Sequence, residues 1–207
     1  MNDAKLQLSA EEMRLVGDPG WILTKNSIIG KVVGMFAGLS EEWRTAGLRM
    51  QDGAGIWREE GGLIVGVPST EPKISKGENY KGLPYVMLDY PRVFGKEDVL
   101  AVRTMFWWGH AFSVTLHLKG KYLDMLLPVI RERAAELSAA GFEVGIAEEE
   151  WEHAHTPETY RPFWGEPLGE GPLPFLKLSA RCGLEHWNEA PVLLSGLYQT
   201  LIRVLIP

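Results

Sequence analysis

Hydrophobic and polar positions change period along this chain, and the changes mark its elements. Ser9 followed by Glu12 forms a capping box, which starts a short helix. Asp18 and Pro19 read as N-cap and first residue of a second helix. Its apolar positions, Trp21, Ile22, Ile28, Ile29, Val32, Val33 and Phe36, recur with helical spacing. Gly30, Gly34 and Gly38 fall in one row of that helix. Each costs about 1 kcal/mol relative to alanine, so the row predicts a backbone packed closely against it. Residues 40–48 extend or follow the helix, and Gln51 to Glu60 reads as a loop.

The period then falls to two. Leu63 to Val67 is a short strand candidate, and Pro68 to Gly82, without periodicity, reads as a long surface loop. Tyr85 to Tyr90 is a strand ended by Pro91. Leu100 to Trp108 and Phe112 to Leu118 form a hairpin around Gly109-His110-Ala111. A three-residue loop sets Trp108 opposite Phe112, Phe106 opposite Val114, Thr104 opposite Leu116 and Val102 opposite Leu118, which keeps apolar residues together.

Tyr122 to Ala140 returns to helical spacing, with a blemish at Pro128 and Gly141 as C-cap. Phe142 to Ile146 and Phe175 to Arg181 read as strands, and Glu189 to Leu205 as a closing helix. The acidic stretch from Glu148 to Leu173 follows no pattern. These elements predict an α+β fold: an antiparallel β-sheet with helices packed on one face, N-terminal helices and a C-terminal helix. The expected organisation is a single domain over 1–207, with a helical segment at 9–48 and a sheet-and-helix core at 63–207.

Composition narrows the function classes. Net charge is -6 over 207 residues. That balance excludes nucleic acid as the expected partner, since neutralising phosphate takes a surplus of Lys and Arg. The single cysteine, Cys182, leaves no internal disulfide and suits a reducing, cytoplasmic location. The nearest approach to a membrane span, Val192 to Ile206, is interrupted by Ser195, Gly196, Gln199, Thr200 and Arg203, so no membrane role is expected.

The candidate chemistry comes from strand parity. Even-numbered strand residues are apolar and face the core. Their odd neighbours gather Tyr85, Met87, Asp89, Arg103, Met105, Trp107, His117, Phe175, Lys177 and Arg181 on the reverse face. Apolar walls with a few convergent polar groups describe a small-molecule pocket. Three cations against Asp89 favour an anion, because the guanidinium fork binds two oxygens at once. The expected site is therefore Arg103, His117, Lys177, Arg181 and Asp89 as polar contacts, with Tyr85, Met105 and Trp107 as walls. The favoured reading is a binding domain for a small anionic molecule, with no cofactor. Two others stay open: an enzyme using His117 and Asp89 for acid–base chemistry, and a structural protein that buries this face in a homodimer. The loop at 68–82, with Lys73, Lys76, Tyr80 and Lys81, could close over the anion. His153 and His155 are weak metal candidates without a supporting motif, so no metal is expected. Cys182 with His186 and Asn188 sits too close in sequence to suggest a nucleophile with its partners.

Overall fold

The computed structural model describes residues 6–52, 70–162 and 173–205. The fold is α+β. Its order is α1 (Ala10–Val16), α2 (Pro19–Asp52), β1 (Lys73–Tyr80), β2 (Leu83–Phe94), β3 (Val99–Trp107), β4 (Ala111–Lys119), α3 (Lys121–Glu132), α4 (Ala134–Ala139), β5 (Glu143–Gly145), β6 (Tyr160–Pro162), β7 (Leu176–Gly183) and α5 (Ala190–Leu205). The seven strands form one antiparallel sheet in the order β1-β2-β3-β4-β7-β5-β6. The capping box at Ser9 is present, with Glu12 bonded back to the Ser9 backbone. The strand candidate at Leu63–Val67 lies outside the described residues.

In β3, β4, β7 and β2 up to Leu88, even-numbered residues face the helices. Val86, Leu88, Val102, Phe106, Phe112, Val114, Leu116 and Leu178 are buried against Val32, Phe36, Leu39 and Trp43 of α2, Leu126 and Ile130 of α3, and Leu194, Tyr198 and Leu201 of α5. Trp43 stacks on Tyr198 at 3.9 Å between centroids, and its indole N–H donates to Ser195 Oγ. The span Pro19–Thr45 of α2 has the length and mean hydropathy of a membrane crossing. Its apolar stripe is spent on the sheet, as in an amphipathic core helix.

Several expectations are corrected. The hairpin loop has three residues, but they are Trp108, Gly109 and His110. Phe106 therefore opposes Phe112, Thr104 opposes Val114 and Val102 opposes Leu116. The slip is two residues, which preserves facing. Pro91 does not end β2. A register irregularity between Asp89 and Arg92 takes it out of the ladder, where its missing N–H does no harm.

Most of the expected long loop is β1, a polar edge strand of the charged kind that resists edge-to-edge pairing. It turns into β2 at Lys81 and Gly82, both with positive φ (50° and 84°), a two-residue turn that twists with its strands. Among the described residues nothing lies within 4 Å of where a Cβ on Gly30, Gly34 or Gly38 would sit, so the row faces outward rather than against a backbone. The helix expected over 122–140 breaks at Arg133 into α3 and α4, while Pro128 is accommodated within α3.

Candidate functional site

The odd-numbered strand residues form rows across the reverse face. Met87, Met105, Ser113 and Arg181 make one row, and Asp89, Arg103, Thr115, Ser179 and Glu143 the next; His117 opposes Lys177 beyond it. This face is not open to water. Residues 146–159 cross it as a strap, closed at its base by Ile146 N–H donating to Thr159 O. Beneath the strap Asp89, Thr115, His117, Lys177 and Ser179 are all buried.

The strap supplies the partners that burial demands. Arg103 binds Asp89 with both carboxylate oxygens, at 2.7 and 3.0 Å, and sends a third N–H to His153 Nε2 at 2.9 Å. Rings of Phe94 and Trp151 flank its guanidinium. Lys177 donates its ammonium to the Glu152 carbonyl. Burial pushes the Lys177 pKa down to about 8, despite Glu152 nearby. Lys119 pairs with Glu150 at 2.9 Å, and Lys81 with Glu152 at 2.7 Å.

Tyr80 is the strap's anchor. Its hydroxyl donates to Glu152 Oε1 at 2.7 Å and accepts from the N–H groups of His153 and Ala154. Burial alone would raise the Glu152 pKa, but the bonds from Lys81, Tyr80 and Ala154 outweigh it and hold it at about 2.

Three imidazoles, His117 beneath the strap and His153 and His155 on it, all stay neutral. His117 falls to about 4, chiefly through burial, against the opposing pull of Glu150. Its Nε2 lies 3.2 Å from Glu150 Oε1 without hydrogen-bond geometry. His153 lies well below its ordinary value through burial and the charges of Lys177 and Arg103. His155 falls to about 4, again mainly through burial, with Glu143 pulling upward and Arg181 and Lys177 downward. It stacks on Tyr160, with 3.9 Å between ring centroids.

The expected site residues thus divide. Asp89, Arg103, His117 and Lys177 sit in the buried network, where Asp89 pairs with Arg103 and His117 lies beside Glu150. Tyr85 packs across β1 with its ring over Gly77, where a Cβ would come within 2.5 Å of it, and edge-on to Tyr80. Met105, Trp107 and Arg181 instead line a cavity of about 110 Å³, together with His110, Ala111, Ser113, His153 and His155. Trp107 is fixed by its indole N–H bond to Tyr80 O and by a 3.5 Å stack on His110.

Ser113 and Arg181 are directly opposed across β4 and β7. Ser113 is only 8% exposed, yet among the described residues neither its hydroxyl nor the Arg181 guanidinium has a hydrogen-bond or ion-pair partner.

Strand parity puts Ser113 and Ser179 on this face but gives them no role, Tyr80 is expected only in a loop over the anion, and Glu143 is not expected here at all. Ser179 Oγ lies 2.9 Å from His155 Nε2, and His155 Nδ1 lies 3.2 Å from Glu143 Oε2. A hydroxyl, an imidazole and a carboxylate in line resemble a hydrolase triad in connectivity. The chemistry does not follow. Ser179 is fully buried and shares a 2.7 Å hydrogen bond with Thr115. Its base rides on the strap, so lifting the strap to expose the hydroxyl removes the imidazole.

His153 and His155 do share one side of the extended strap, but they take different partners. Among the described residues no three His, Cys, Asp or Glu side chains converge as a metal site. Cys182 is buried, with burial raising its pKa, and His186 is exposed beside Glu185. Comparison of the chain with protein-family models, curated proteins and solved structures finds no match.

Proposed function

We propose that the protein is a binding module that holds a small oxyanion in the cavity between Trp107 and Arg181. The observation that carries this reading is the unpartnered pair Ser113 and Arg181, set side by side at a cavity wall. The cations Arg103, Lys119 and Lys81 on the same face each have a carboxylate, and Lys177 has a carbonyl. Arg181 has neither among the described residues. A guanidinium, a hydroxyl and ring N–H donors suit sulfate, phosphate or a carboxylate group. The volume, about 110 Å³, suits a ligand of a few heavy atoms. Met105 and Trp107 form the apolar wall.

Sulfate tests the reading against sodium chloride at matched ionic strength. Ligand that binds the native state alone raises the melting temperature. Wild type gains thermal stability from millimolar sulfate. Arg181→Ala, at an exposed position, folds normally and loses the gain. A charge-assisted hydrogen bond contributes about 1.5–3 kcal/mol, so affinity falls roughly 10- to 100-fold. An equal gain in Arg181→Ala and wild type would refute the site.

A further inference from the structure

We propose that this cavity takes up its oxyanion together with one proton, which lodges on Nε2 of His155. The inference rests on the oxyanion site above and adds the regulation of that site by pH.

Two histidines line the cavity on the strap side, and their partners decide which can be charged. His153 Nε2 faces an Arg103 N–H at 2.9 Å. That nitrogen must be an acceptor, because a proton there would point at a guanidinium. His153 is therefore the neutral tautomer with hydrogen on Nδ1, and Arg103 keeps it so.

His155 is arranged the other way. Its Nδ1 lies against Glu143 Oε2, so this nitrogen carries the hydrogen and a counter-charge is already in place. Its Nε2 accepts from the Ser179 hydroxyl, which in turn accepts from Thr115. Hydroxyls donate or accept as required. When Nε2 takes a proton from water, Ser179 turns to accept from it and donates to Thr115 instead. No heavy atom has to move.

Burial, with the charges of Arg181 and Lys177 nearby, holds His155 neutral. The titratable and charged groups facing it are Glu143 from β5, Arg181 and Lys177 from β7, Tyr160 from β6 and, across the cavity, His110 of the β3–β4 turn and His153 of the strap. An oxyanion beside Arg181 cancels the repulsion that Arg181 exerts and adds an attraction of its own. An anion at contact distance raises a partly buried imidazole by roughly two or more pKa units. That returns His155 to about its ordinary value of 6.5. Linkage then makes oxyanion affinity climb about tenfold between pH 7.5 and 5.5.

Calorimetric titration of the full chain with sulfate at pH 7.5, 6.5 and 5.5 tests this. Sulfate does not change its own charge in that range, so any proton taken up belongs to the protein. Two buffers of different ionisation enthalpy at each pH give the number of protons. The expected result is a roughly tenfold gain in affinity on acidification, with uptake approaching one proton per sulfate near pH 5.5. His155→Asn binds sulfate with little pH dependence, whereas His110→Asn and His153→Asn keep the linkage. Imidazole nitrogen chemical shifts of wild type give a second readout: the His155 pKa rises with sulfate and that of His153 does not. Sulfate binding without proton uptake, or uptake that disappears in His110→Asn rather than His155→Asn, overturns the inference and leaves the oxyanion site standing. No sulfate binding at any pH overturns both.

Discussion

Acid is the sharpest perturbation for this fold, because closing the strap buries three uncharged imidazoles, His117 beneath it and His153 and His155 on it. In the unfolded chain each histidine titrates near 6.5; in the fold burial holds His117 and His155 at about 4 and His153 well below its ordinary value. The folded state thus binds fewer protons than the unfolded state as pH falls from 6.5 towards 4. Stability is fully present above pH 6.5 and drains through that window. Moving from pH 7 to pH 5 costs about 2 kcal/mol for each of His117 and His155, or about 4 kcal/mol together, and His153 adds to the loss in the same direction. Against the 5–15 kcal/mol typical of a whole domain, the loss is a large fraction.

Glu152 acts in a different window. Its carboxyl is held at about 2, so its contribution is present above its ordinary 4.5 and lost only as pH falls towards 2. The measurement is urea unfolding by tryptophan fluorescence at pH 7, 6 and 5, in chloride buffers free of sulfate and phosphate. With an m-value of about 2–3 kcal/mol/M, the midpoint falls by about 1.3–2 M. A midpoint that moves by less than about 0.3 M would refute the reasoning. It would mean that Glu150 and Glu143, each 3.2 Å from an imidazole nitrogen, keep the rings charged in the fold.

Two substitutions test other parts of the structure. Tyr80→Phe removes the donor to Glu152 and the acceptor for two strap N–H groups, though Ala154 N–H keeps its bond to Glu152. Leaving the His153 N–H unmatched costs about 1–3 kcal/mol, and hydrogen exchange of the strap amides accelerates; unchanged exchange would show that the anchor lies elsewhere. Gly34→Ala adds a methyl where nothing lies within 4 Å, on a helix interior. It stabilises by about 0.5–1 kcal/mol in thermal melts, and a loss would show that another surface packs on that row.

What could be read from the sequence depended on whether the determinants were local. Strand parity is a property of each strand alone, so the even residues from Val86 to Ala180 were placed on the core side correctly. Register is not. A slip of two keeps every residue on its face, so the apolar matching of Phe106 with Val114 looked as good as its true pairing with Phe112. β1 was invisible because an edge strand is selected for polarity rather than alternation. Its Lys81-Gly82 turn also lacks the usual Asn-Gly or Asp-Gly signature.

The strap was illegible for a related reason. Its order comes from Tyr80, Arg103 and Lys177, at least 25 residues away in sequence. One signal was available. Glu148, Glu149, Glu150 and Glu152, with His153 and His155 beyond, are a charge complement to the cations of the odd face.

That complement changes what the odd face is for. A cluster of Arg103, Lys177 and Arg181 on an acidic chain points from sequence to an external anion. In the structure the chain meets most of that demand itself. Asp89 takes Arg103, Glu150 takes Lys119, Glu152 takes Lys81, and the Glu152 carbonyl takes Lys177. Stripping either partner of the buried Arg103–Asp89 pair leaves a buried charge uncompensated, which costs about 3–5 kcal/mol whether or not a ligand exists. Arg103→Ala is therefore a stability experiment, and cannot report on binding. Arg181 differs: among the described residues it has no carboxylate partner, so its loss strands none. The strap meets it with the imidazoles of His153 and His155, so the argument for an external oxyanion survives at that end of the face alone.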